Sequence, residues 1–114
     1  MAEPIPVERA RRACERMLAI CDGATPGPTR LIVRSPGNWA KQCWVSLKNL
    51  TLDMPTNDGQ MLVAARATMR PLVAYVMFRL KYWDAPVSPR DSFYAPLAAI
   101  IQHLDSTEPG WETR

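Results

Sequence analysis

The sequence contains little of the chemistry that enzymes use. It has one histidine, His103, and three cysteines among its 114 residues. Phosphate-binding loops, dinucleotide-binding fingerprints and nucleophile elbows are absent from the sequence. A catalytic histidine would need a nucleophile and an orienting acid close by, and only the fold could bring Cys14, Cys21 or Cys43 near His103, so we interpret it as a structural histidine. We therefore expect a protein that is not an enzyme and that binds no cofactor.

The cysteines do not indicate a metal site or a secreted protein. Cys14 and Cys21 lie seven residues apart, a spacing that matches no zinc site. The first six residues are short and polar, and charged residues follow where a secretory signal would have its apolar core. Three cysteines without such a signal indicate free thiols in a reducing compartment. We therefore predict no metal and a cytoplasmic location.

Long apolar runs and a strong net charge are also missing. The longest apolar run, residues 72–78, is far shorter than the roughly 20 residues that cross a membrane, so no membrane partner is expected. The net charge is +3. Residues 35–83 hold six cations against two acids, whereas residues 84–114 hold two cations against five acids. These two parts could attract each other within the fold or leave a basic face for an acidic partner.

What the sequence does contain is typical of a small globular protein. Its residues are 47% hydrophobic and 22% charged, a balance that supports a folded core rather than disorder. Arginine outnumbers lysine, and alanine and proline are plentiful, as in GC-rich genes of bacteria and their phages.

Helical periodicity dominates the chain. Apolar residues recur at helical spacing over residues 5–21 and again over residues 95–105. Residues 58–83 are rich in helix formers but contain Pro71, which removes a backbone donor and predicts either one kinked helix or two helices, 58–70 and 71–83. The run over residues 72–78 has no polar face, so we interpret it as a core helix or as a helix partly covered by a second chain.

The segment over residues 38–50 is ambiguous. Five apolar positions, from Ala40 to Leu50, fit a helix, but Val45 with Leu47 and Leu50 with Leu52 also alternate as in a hairpin. We favour the helix because more positions match it.

The predicted fold is therefore all-α, a compact bundle of four to five helices with a proline-kinked central helix and at most one short extended segment near residues 30–34. The domain is expected to cover residues 1–105, followed by a polar, mobile tail over residues 106–114.

The leading functional hypothesis is a small protein-binding module. Proteins of this size and composition are common among accessory and phage-encoded inhibitors or adaptors of larger cellular machines. Because interface hot spots favour Trp, Tyr and Arg, we predict a binding site made of Trp39, Arg70, Arg79, Tyr82 and Trp83.

Two alternatives remain open at this point. One is weakly sequence-specific nucleic-acid binding through an arginine face made of Arg9, Arg12, Arg16, Arg30 and Arg34, which the acidic C-terminal third disfavours. The other is a self-associating structural subunit, a homodimer that uses the surplus apolar surface of residues 72–78.

Overall fold

The computed structural model describes residues 3–24, 29–33, 42–48 and 50–113. The elements in chain order are α1 (Val7–Gly23), β1 (Arg30–Val33), β2 (Gln42–Leu47), β3 (Leu50–Pro55), α2 (Thr56–Lys81), α3 (Tyr94–Thr107) and a short 3-10 helix (Trp111–Thr113). The chain divides into two compact units. The helical unit combines Met1–Gly23 with Pro71–Arg114, and the sheet unit is Ala24–Arg70.

The predicted bundle of four to five helices is wrong. The described residues form three α-helices and one three-stranded antiparallel sheet, so the fold mixes helix and strand. Where the structure describes residues 38–50, it has strands in place of the expected helix. Of the two alternatives open at Pro71, one helix or two, the structure has one helix.

The hairpin of β2 and β3 explains why helical periodicity gives a wrong prediction for residues 38–50. Lys48 follows β2 with a positive φ of 49°, the left-handed conformation that tight hairpin turns require. β2 then pairs with β3 on one side, from Gln42 opposite Pro55 to Leu47 opposite Leu50, and with β1 on the other. A strand that is paired on both sides satisfies its backbone groups fully, and this tertiary pairing outweighs a local helical pattern.

The sheet unit is held together where the sheet meets the start of α2. Cys43 and Val45 alternate as buried residues along β2, while Trp44 between them belongs to the opposite face and is 39% exposed. Gly59 lies against this buried face, where an added Cβ would collide with the Cys43 Sγ and lie 3.1 Å from both Leu31 Cδ1 and Val45 Cγ2. A glycine is therefore needed here so that the helix can approach the sheet closely.

Helix α2 runs unbroken through Pro71. Proline lacks one backbone donor, and the loss of that hydrogen bond does not end the helix here. By length and composition, α2 is the one helix among the described residues that could cross a membrane, and little of it is buried. This observation is weak, because Arg66 and Arg70 lie within the helix and charges inside a bilayer are costly. The expectation that no membrane is involved stays a prediction.

The helical unit has its own core. Its buried residues include Val73, Val76, Leu97, Ile100 and Ile101. Helix α1 adds small and flexible side chains on one stripe, which are Ala10, Ala13, Cys14 and Met17. Leu18 and Met77 of this unit are half-buried.

The C-terminal segment is anchored to this core. Helix α3 continues to Thr107, and Trp111 in the 3-10 helix is buried, with its indole Nε1 donating to Asp105 Oδ1 at 2.9 Å. Gly110 supplies the positive φ of 82° that turns the chain between them. The single domain over residues 1–105 and the mobility of residues 106–114 stay predictions, but the described part of that segment contributes a large core side chain.

Candidate protein-binding surface

The candidate surface lies on α2, within the helical unit. Val73, Val76 and Leu80 are fully buried and recur at helical spacing, so they define the inward face of this part of the helix. Large apolar residues on the other side of the helix are exposed to solvent, together with Tyr82 directly after its last residue. They are Leu72 (42% exposed), Tyr75 (49%), Phe78 (64%) and Tyr82 (75%). We call these four residues the aromatic face.

Contacts between neighbouring side chains hold the aromatic face in place. The Phe78 and Tyr82 rings meet edge to face, with 6.4 Å between their centroids. Arg79 Nη1 donates to the Tyr75 hydroxyl at 3.2 Å, and its guanidinium also lies over the Tyr75 ring, 6.0 Å from the centroid. Lys81 lies 5.5 Å from the Tyr82 ring. Because these contacts restrict the side chains before anything binds, they reduce the ordering cost of an interface.

A second layer of aromatic residues supports the aromatic face from the core. The Arg79 guanidinium lies 5.5 Å from the ring centroid of Phe93, which is buried. Trp83 packs edge to face on Phe93, with 5.1 Å between ring centroids. Trp83 is half-buried and its indole Nε1 has no hydrogen-bond partner among the described residues. Trp83 therefore belongs mainly to the support of the surface, whereas Tyr82 belongs to the surface itself.

A groove runs beside the aromatic face, between α1 and α2. Its volume is about 460 Å³. It is lined by Arg11, Glu15 and Leu18 of α1 and by Ala74, Met77, Phe78 and Lys81 of α2. Phe78 lies at the border of both features, so the groove extends the apolar surface sideways. An apolar groove beside exposed aromatic anchors is the usual form of a helix-binding site.

Arg11 fixes the end of α2 where the aromatic face lies. Its Nη2 donates to the carbonyl oxygens of Leu80 and Trp83, each at 3.0 Å, and its Nη1 donates to Glu8 at 2.9 Å. The last carbonyls of a helix have no partner within the helix, so a cation from a neighbouring helix both satisfies them and complements the helix dipole. Arg11 thus positions the last turn of α2.

The predicted binding residues are only partly brought together. Arg79, Tyr82 and Trp83 lie close to one another at the end of α2. Arg70 belongs to the sheet unit, and Trp39 lies outside the described residues. Leu72, Tyr75 and Phe78 are not in the predicted site, although one of the two interpretations of residues 72–78 has a second chain cover part of that run. Their exposure is the signal that the sequence could not supply.

The arginines of the nucleic-acid alternative are largely engaged within the protein. Arg9 pairs with Glu112 and with Asp105, and these carboxylates raise the pKa of its guanidinium, Glu112 most strongly. Arg16 forms a bidentate ion pair with the Glu108 carboxylate, which raises the pKa of the Arg16 guanidinium. Arg12, the remaining arginine of this predicted face on α1, donates to a backbone carbonyl oxygen.

The acceptor of the Arg12 hydrogen bond is the Glu112 carbonyl oxygen, at 3.0 Å. Arg30 is exposed but belongs to the sheet unit, and Arg34 lies outside the described residues. A phosphate backbone would have to compete with the C-terminal carboxylates for α1, so the structure does not favour this surface for nucleic acid.

Among the described residues, the cysteines and His103 do not form a catalytic or metal-binding cluster. Cys14 and Cys43 are buried and Cys21 is half-buried, all as free thiols. Across the residues that the structure describes, no group of three or more His, Cys, Asp or Glu side chains could hold a metal ion. His103 is exposed on α3. The absence of catalysis and of cofactors stays a prediction.

Comparison with protein-family models, with curated proteins and with solved structures finds no match to this chain. The aromatic face is therefore interpreted from its own chemistry.

Proposed function

We propose that this protein is a small, non-catalytic protein-binding module, an accessory factor that acts by contact through the aromatic face of α2. The observation that carries the proposal is the exposure of four large apolar side chains on one side of a helix whose other side is buried. Contiguous exposed apolar patches of this kind mark interaction sites on soluble proteins.

The chemistry of the surface also suits protein recognition. Tyr and Arg are enriched among residues that dominate binding energy, and both occur here at adjacent positions of one helix face. Tyr75 and Tyr82 each combine an apolar ring with a polar tip, which allows them to be buried by a partner without leaving the hydroxyl unsatisfied. Arg79 is already oriented by Tyr75.

The test compares two variants of the same helix. Phe78→Ser combined with Tyr82→Ser removes the two most exposed rings of the aromatic face, whereas Met61→Ser removes an equally exposed apolar side chain from the sheet unit. Proteins captured by the immobilised wild-type chain are identified by mass spectrometry, purified and titrated by calorimetry. We expect the double variant to weaken binding about thirty-fold or more, since hot spots contribute on the order of 2 kcal/mol.

The control variant Met61→Ser should bind like the wild type. Circular dichroism must show that the double variant keeps its helix content, which its exposed positions predict. If the double variant binds the same proteins with unchanged affinity, or if wild type and double variant capture the same set, the aromatic face is not the binding site and the proposal fails.

A further inference from the structure

The aromatic face has a self-complementary arrangement. Leu72 on α2 and Tyr82, the residue that follows α2, are each five residues from Met77, and Tyr75 and Arg79 are each two residues from it. If a second α2 lies antiparallel with a two-fold axis near Met77, Leu72 of one copy faces Tyr82 of the other. Tyr75 then faces Arg79 of the other copy. A two-fold interface requires this property, since the same patch must serve both partners.

The exposed area is also close to what a dimer needs. With about 200 Å² for each large side chain, the exposed fractions of the four residues amount to roughly 450 Å² per copy. Pairing two copies would bury about 900 Å² from these residues alone, and the groove-lining residues at the border would add to it. A specific interface begins at about 1,000 Å² in total.

Charge defines how such a dimer would respond to salt. The sequence has no Asp or Glu between Gly59 and Trp83, while Arg79 and Lys81 lie in and beside the aromatic face. Two copies would therefore meet through apolar surface with like charges near its edge. Salt screens that repulsion, so self-association should strengthen as salt rises. An acidic protein partner would show the opposite dependence.

We infer that the partner of the aromatic face is a second copy of this chain, paired antiparallel through α2 about Met77. This inference rests on the proposed function and names the partner of the same surface. Arg79 supports the pairing because it already contacts a tyrosine ring within one copy, and the same cation–π contact is available to Tyr75 of the second copy.

The first experiment is sedimentation velocity of the full chain from low to high micromolar concentration, at low and at high salt. We expect a monomer–dimer equilibrium that shifts toward dimer with salt. Phe78→Ser should weaken dimerisation at least tenfold, and Met61→Ser should leave it unchanged. A chain that stays monomeric at every concentration, or a dimer that Phe78→Ser does not weaken, overturns the inference.

A pair of charged variants tests the antiparallel register. Tyr82→Glu or Leu72→Lys alone should weaken the dimer, because each buries a charge without a partner. The combined variant should restore it, since Lys at position 72 of each copy would face Glu at position 82 of the other. Within one copy these positions are about 15 Å apart along the helix and cannot pair. If the combined variant is weaker than either single variant, the register is wrong.

Two further outcomes separate this inference from the proposed function. If the chain is monomeric but the aromatic face still determines capture of another protein, the second copy is excluded and the proposed function stands. If neither self-association nor capture depends on the aromatic face, both fail. Co-sedimentation with vesicles of anionic phospholipid that Phe78→Ser abolishes, without any dimer, would assign the face to a membrane surface and also overturn the inference.

Discussion

Arg11 offers a direct test of how the surface-bearing end of α2 is held. In Arg11→Ala, the carbonyl oxygens of Leu80 and Trp83 lose the guanidinium that bonds both of them. Hydrogen bonds to charged groups contribute roughly 1.5–3 kcal/mol each when they are well shielded. One third of the Arg11 side chain is exposed, so we reduce the sum and expect a total loss of about 2 kcal/mol.

Urea unfolding followed by circular dichroism measures this change, and the Tm should fall by roughly 8 °C for a domain of this size. Glu8→Ala is the matched control, since it removes the exposed ion pair of Arg11 and keeps both carbonyl bonds. We expect that control to cost less than about 0.5 kcal/mol. If Arg11→Ala is no more destabilising than Glu8→Ala, the capping interaction does not stabilise α2 and our reasoning is wrong.

Two further predictions concern the interiors of the two units. Gly59→Ala should destabilise the protein by about 1–3 kcal/mol in urea unfolding, although Ala normally favours a helix, because the new Cβ meets the Cys43 Sγ. Adding Cys43→Ala should recover most of the loss, and a stabilised Gly59→Ala would show that the contact is not tight. Burial raises the pKa of Cys14 from 9.0 to about 11. The folded state therefore loses stability relative to Cys14→Ala as pH rises from about 9 to 11, and at neutral pH a thiol reagent should modify Cys21 first.

The helix ends could be predicted from local chemistry. The sequence predicts the last helix over residues 95–105, and α3 spans Tyr94–Thr107. Asp91 accepts a hydrogen bond from the backbone of Ser88 at 2.7 Å, the Ser88 hydroxyl accepts from the backbone of Arg90, and α3 then begins at Tyr94. Such interactions join residues two or three positions apart, so the sequence contains both partners.

The sheet could not be predicted with the same success because its partners are distant in sequence. The backbone of Val45 pairs with Leu31 on one side and Leu52 on the other. Only the hairpin between Lys48 and Leu50 is local, and the sequence predicts it only as the alternative to a helix. Strand β1 pairs with β2, so a helix predicted over residues 38–50 leaves residues 30–34 without a strand to pair with.

The candidate site depends on which side of α2 faces solvent, and the sequence of an entirely apolar helix segment does not indicate that side. In an amphipathic helix, polar residues mark the solvent side, but residues 72–78 have no polar residue to do so. Packing decides the matter instead, because the smaller β-branched Val73 and Val76 face the core while Tyr75 and Phe78 face outward. An aromatic ring at either of these two buried positions would overfill the core. The helix therefore keeps Tyr75 and Phe78 on its solvent-exposed side, which is the side that we propose as the binding surface.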